Sequence, residues 1–137
     1  MYLVDTNVVS ETRLHRPHPA VLAWLRSTRS DELQVSALTI GEIQKGVENL
    51  RDRDPIRASS IESWLDEAVL QHFEVLAFDS AAAREWARLM NGLSADLTID
   101  AMIASTALVH GLTVVTRNER DFELLAVPTL NPFEYIG

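Results

Sequence analysis

Four acids stand out by where they fall in the chain. Asp5 directly follows the short apolar run Tyr2 to Val4, and Glu42 and Asp100 lie in the first turns of segments with helical periodicity. Asp121 comes soon after the apolar run that ends at Thr116. Carboxylates gathered in one place repel and raise each other's pKa unless a cation neutralises them. The chain has no cysteine and no paired histidines, so such a cation meets only hard oxygen ligands. That donor set favours Mg²⁺ or Mn²⁺ over Zn²⁺. Two such ions activate water and stabilise both the attacking and the leaving oxygen in phosphodiester cleavage. This chemistry needs no His or Lys as base, and His72 and His110 have no triad context.

Each acid also has a plainer reading. Thr39 and Glu42 match the capping box T-x-x-E, and Glu42 taken alone reads as a cap. Asp100 near a helix start is favoured by the helix dipole alone. Asp121 fits a polar turn before a buried Phe122. Asp5 is harder to dismiss, because beyond the short helix that follows it has no capping duty. Asp79 also follows a strand, but Ser80-Ala81-Ala82-Ala83 behind it makes N-capping the better explanation, and it stays outside the site.

Five apolar runs read as strands: Tyr2 to Val4, Leu33 to Ser36, Phe73 to Phe78, Thr113 to Thr116 and Val127 to Leu130. Between them, helical periodicity covers Thr6 to Leu14, Pro19 to Ser27, Leu38 to Leu50, Ile56 to Gln71, Ser80 to Met90 and Ile99 to His110. Pro19 suits a first helical position, and Gly111 suits a left-handed C-cap. Strands that alternate with helices imply an α/β fold, a parallel sheet covered on both faces and buried throughout. In open sheets of this kind, sites form beyond the carboxyl ends of the strands. Asp5, Asp121 and the N-termini of the helices carrying Glu42 and Asp100 all point to that edge.

The remaining composition bounds the partners. At 137 residues, 47% hydrophobic and 23% charged, the chain reads as one soluble domain over residues 1–137 that needs no disulfides. No apolar stretch is long enough to span a membrane, and no signal peptide is visible, so the expectation is cytoplasmic with no membrane partner. The net charge of −8 argues at first against nucleic acid. Two bound divalent cations, however, would bring it to roughly −4. Arg13 to Arg29 holds Arg13, His15, Arg16, His18, Arg26 and Arg29 with no acid, either an RNA-contacting strip or a solvated surface. So acidic a chain also invites a basic protein partner.

The ordered motifs resemble a known family. Leu3-Val4-Asp5-Thr6-Asn7-Val8-Val9-Ser10-Glu11 is similar to the opening of PIN-domain toxins of the VapC type, the FitB-like subgroup fitting best. Ser36 to Ile43, Ile99 to Ala107 and Thr113 to Phe122 resemble its second, third and fourth motifs, and Leu130-Asn131-Pro132-Phe133 its tail. The resemblance covers the whole chain, in order and with similar gaps. It implies a PIN-like three-layer sandwich with a five-stranded parallel sheet in the order 3-2-1-4-5 and helices on both faces. It further implies a Mg²⁺- or Mn²⁺-dependent endoribonuclease acting on RNA as the toxin of a toxin–antitoxin pair. The implied partners are a VapB-type antitoxin and a second copy in a homodimer, with DNA reached only through the antitoxin. Many PIN domains carry their fourth acid where this chain has Asn118, whereas this subgroup often has Asn there and Asp three residues on. The fourth acidic role therefore goes to Asp121.

On this reading Asp5 and Asp100 hold the main ion, Glu42 shares it or orients the attacking water, and Asp121 completes the second-metal side. Thr6, Thr116 and Asn118 support the acids by hydrogen bonds. An aspartyl phosphotransferase is a different class, but it wants an acid where Asn7 stands and a late lysine. The only lysine is Lys45. A catalytically silent PIN fold that acts only through its antitoxin complex is the non-enzyme alternative. The dimer is also suggested by the apolar mass of Trp64, Leu65, Val69, Leu70, Trp86, Leu89 and Met90.

Overall fold

The computed structural model describes residues 1–137. Its frame is a five-stranded parallel sheet of β1 (Tyr2–Val4), β2 (Leu33–Ser36), β3 (Glu74–Leu76), β4 (Thr113–Val115) and β5 (Thr129–Leu130), in the order β3-β2-β1-β4-β5. The register pairs Tyr2 with Leu33 and Thr113, so β1 is the middle strand. The helices are α1 (Thr6–Val9), α2 (Pro19–Ser27), α3 (Ala37–Arg51), α4 (Pro55–Trp64), α5 (Leu70–His72), α6 (Ser80–Met90), α7 (Thr98–His110) and α8 (Glu119–Glu123).

Successive residues of a strand face opposite sides of a sheet, so the central strands feed two cores. Val4 and Val115 join Val8, Val21, Trp24, Ile43 and Leu65 on one face. Leu3 and Val114 join Ala101, Ile103, Ala104, Phe122 and Leu125 on the other. Fully burying a side chain such as Leu3 contributes roughly 1.5–3 kcal/mol. The small residues Ala101, Ala104 and Ala107 are buried where α7 packs on the sheet. The three-layer sandwich and its strand order are thus as the family resemblance implied.

Helix ends follow local chemistry. His18 and Pro19 open α2, Asp79 Oδ1 accepts from Ala82 N at 3.0 Å to open α6, and α7 closes on Gly111 at φ +67°. A left-handed φ at that C-cap is what glycine accommodates without strain.

Several expectations need correction. The third strand is shorter than Phe73 to Phe78, and Glu74 and Val75 are exposed, because β3 is an edge strand with one neighbour. The fifth strand begins only at Thr129, since Pro128 has no N–H to give to a ladder. The segment expected as one helix from Ile56 to Gln71 contains a π-helical stretch, Leu65–Val69, which turns Leu65 and Val69 into the core. Of the apolar residues that suggested a dimer, Trp64, Leu65 and Val69 pack in the first core, and Trp86, Leu89 and Met90 against the second. Only Leu70 stays exposed. Ordinary packing therefore accounts for most of that apolar mass. No helix is long and apolar enough to cross a membrane.

Candidate active site

Asp5 leaves β1 at the carboxyl edge and is almost fully buried, at 5% exposure. Its Oδ1 accepts from Thr6 N at 2.8 Å, which caps α1. Its Oδ2 accepts from Thr116 Oγ1 at 2.8 Å and from Asn7 Nδ2 at 3.2 Å. Thr116, just beyond β4, is itself buried and is the hub of this network. Its hydroxyl also accepts from Asn118 N at 3.0 Å, and Asn7 Oδ1 accepts from Arg117 N at 3.2 Å. The adjacent ends of β1 and β4 are thus tied together by side chains, and Asp5 is held in one orientation.

Glu42 reaches the same edge from α3. That helix is capped by Ser36, whose Oγ accepts from Leu38 N at 3.0 Å. The capping-box reading of Thr39 and Glu42 is therefore overturned, because both lie inside the helix. Thr39 is buried and its hydroxyl meets that of Thr6 at 3.1 Å, while Thr6 Oγ1 donates to Glu42 Oε1 at 2.8 Å. Thr6 so links two acids, Asp5 through its N–H and Glu42 through its hydroxyl. Asp100 sits in the first turn of α7 and Asp121 within α8, a short helix that periodicity did not predict. Asn118 is exposed and contributes its backbone N–H to Thr116, with no side-chain hydrogen bond of its own.

The electrostatics couple Asp100 to the other three acids. The Asp100 carboxyl is raised to about 6, first by burial and then by the charges of Asp5, Asp121 and Glu42. Asp5 is also raised, chiefly by burial and further by Glu42, against the lowering effect of hydrogen bonds from Thr116, Thr6 and Asn7. None of the four belongs to an ion pair; the ion pairs join Arg29 to Asp31, Arg51 to Glu48 and Glu62, and Arg88 to Glu85. No three acidic or histidine side chains form a ready-made metal cage. An ion held here by one or two of these carboxylates would keep several of its waters, as Mg²⁺ does. An all-oxygen donor set whose members repel one another fits a hard divalent cation.

Two residues of this network escaped the sequence analysis as supports. Asn7 bridges Asp5 and the backbone of Arg117, and its place two residues after Asp5 was the one available clue. Thr39 had been assigned to a cap. Within the basic stretch from Arg13 to Arg29, Arg29 is paired with Asp31, and His18 caps α2 and meets Phe133 edge to face. Arg117 lies over the same Phe133 ring at 3.8 Å.

The chain as a whole is similar to known proteins. The family model described as PIN domain matches residues 2–128. The VapC ribonuclease Y4jK of Sinorhizobium fredii is 34% identical over 98% of this chain and 99% of its own length. Toxin FitB of Neisseria gonorrhoeae is 32% identical over 97% of this chain and 99% of its own. A solved structure of FitAB bound to an IR36 DNA fragment superposes with a TM-score of 0.87 at 30% identity, covering 100% of this chain and 99% of that one.

Proposed function

The chain belongs to the PIN-domain family, and from that premise we propose that it is a Mg²⁺- or Mn²⁺-dependent endoribonuclease, the toxin of a VapBC-type toxin–antitoxin pair. The observation that carries this reading is the meeting of four unpaired carboxylates, Asp5, Glu42, Asp100 and Asp121, at the carboxyl edge of the sheet. A purely binding fold has no use for such repulsion. A divalent cation held there supplies charge neutralisation for a scissile phosphate and a water acidic enough to attack near neutral pH.

The chain's own residues do the positioning. Asp5 and Asp100 would hold the main ion, with Asp5 fixed by Thr116, Asn7 and Thr6. Glu42, exposed at the mouth and oriented by the Thr6 hydroxyl, aligns the attacking water. Asp121, whose charge acts on Asp100, would complete the donor set. Direct attack by water leaves a 5′-phosphate and a 3′-hydroxyl. A 2′,3′-cyclic phosphate product would contradict this, because it requires attack by the RNA's own hydroxyl.

The antitoxin is expected to be a VapB-type protein that brings the pair to DNA, a reading supported by the FitAB–DNA structure and by the acidity of the pocket. The protein works in the cytoplasm, where RNA is available. The homodimer is removed from the account if sedimentation finds a monomer at micromolar concentration. The decisive experiment incubates total bacterial RNA with purified protein in Mg²⁺, in EDTA, and with Asp5→Asn beside wild type. Discrete cuts that need both metal and Asp5 are expected. Intact RNA with folded, metal-loaded, antitoxin-free protein would instead favour a catalytically silent PIN fold acting only through its antitoxin complex.

A further inference from the structure

A groove of about 330 Å³ opens beside Glu42, one of the four acids. Thr6 and Glu42 line its site end, Arg13, Arg53 and Arg57 stand around it, and Trp64 forms part of its wall. Glu42 is the only acid in its lining, although the whole chain carries 20 acids against 12 Lys and Arg. The three arginines are exposed, and none is in an ion pair. Leu50, also in the lining, is eight residues past Glu42 on α3, so the groove follows that helix for about 12 Å at 1.5 Å per residue.

We propose that this groove is the track for the RNA strand flanking the scissile bond, with Arg13, Arg53 and Arg57 as its phosphate contacts and the half-buried Trp64 as a surface for a base. The inference rests on the nuclease reading for its substrate, and its test does not require cleavage. A polyanion must reach the acids, and the groove that leads to them concentrates free guanidinium groups on an otherwise acidic molecule. Guanidinium groups bind phosphate bidentately, and aromatic faces stack bases without regard to sequence. One narrow groove accepts a single strand, whereas a duplex presents two phosphate rails. An acidic protein segment would also meet the arginines, but on the nuclease reading only the RNA must bring a phosphodiester to the acids.

The test measures binding of an unstructured mixed-sequence RNA oligonucleotide by fluorescence anisotropy across a salt series, using Asp5→Asn so that no cleavage intervenes. Adding Arg13→Gln, Arg53→Gln and Arg57→Gln should reduce the slope of log K against log salt by about 2, at roughly 0.7 per phosphate on a single strand. Counted from 1 M salt, that is about a hundredfold weaker binding at 0.1 M. The matched control Arg26→Gln, Arg84→Gln, Arg88→Gln removes the same charge elsewhere and should leave the slope nearly unchanged. Equal slopes for the groove variant and its Asp5→Asn parent would overturn the inference and leave the groove to a protein segment. Equal losses in groove and control variants would also overturn it, since net charge alone would then explain binding. Arginine-dependent binding without any cleavage by wild type would uphold the track while the nuclease reading fell. Normal cleavage with an unchanged KM in the triple variant would do the reverse.

Discussion

Replacing Asp100 by Asn should make the metal-free protein more stable at neutral pH while abolishing its nuclease activity. In the folded protein the Asp100 carboxyl sits at about 6 against an ordinary 3.8, because burial and three neighbouring acids disfavour its charge. At about 1.4 kcal/mol per pH unit, the ceiling on the cost of ionising it is about 3 kcal/mol. Asp100 is only partly buried, so water and salt screen the repulsion, and about 1–2 kcal/mol is a better expectation. The sign follows from linkage. A carboxylate raised on folding binds more protons in the native state, so it destabilises the fold as pH climbs from about 4 through about 6. The advantage of Asp100→Asn should therefore be near zero at pH 4, grow between pH 4 and 6, and level off above. Thermal unfolding in EDTA from pH 4 to pH 8 reads this directly, as a gap of about 3–8 °C at pH 8 for a chain of this size. A constant gap at every pH, or a variant less stable than wild type at pH 8, would refute the electrostatic reasoning.

The other expectations are independent of one another. Mn²⁺ or Mg²⁺ should raise the melting temperature of wild type, by about 2.7 kcal/mol of stability at a hundred times Kd, and leave the Asp5→Asn, Asp100→Asn double variant unmoved. An unresponsive wild type would remove the metal assignment. Thr116→Val keeps the shape but deletes the buried hydroxyl that serves Asp5, Asn7 and Asn118, so it should cost about 2–3 kcal/mol in urea unfolding and lower metal affinity roughly 10–100-fold. If stability and affinity are both unchanged, Thr116 is not the hub described. Ala126 has φ +52° on an exposed turn after α8, and relief of that left-handed strain by Ala126→Gly should add about 0.5–1 kcal/mol. A loss of stability there would mean that the turn tolerates alanine without cost.

How far the sequence could be read depended on the kind of information each feature needs. Strands β1 and β2 and helices α2 and α6 have the expected bounds, because buried runs and strong caps such as Pro19 and Asp79 mark both ends locally. The edges were less legible, since whether Phe73 to Phe78 stays paired depends on a neighbour that only the fold supplies. Asp5, Glu42, Asp100 and Asp121 could be nominated from their places after strands and at helix starts. The supports could not be found that way. Asn7 and Thr39 act across 109 and 33 residues of chain, on Thr116 and Thr6, and no local pattern encodes such pairings. The T-x-x-E match at Thr39 misled because Ser36, three residues earlier, offers the same capping oxygen in a better position.

The placement of the first strand in the middle of the sheet also bears on how the protein is made. β1 is made before both of its partners and waits for β2 on one side and for β4, from Thr113, on the other. Asp5 gains its Thr116 partner only after 111 further residues have been made, and Asp121 follows later still. A nascent or prematurely terminated chain ending before Thr116 therefore lacks the hub, the fourth acid and one flank of its central strand. Nonsense mutations anywhere before Thr116 should therefore leave inert fragments, so that a cell translating this message meets the activity only in copies that run past Asp121.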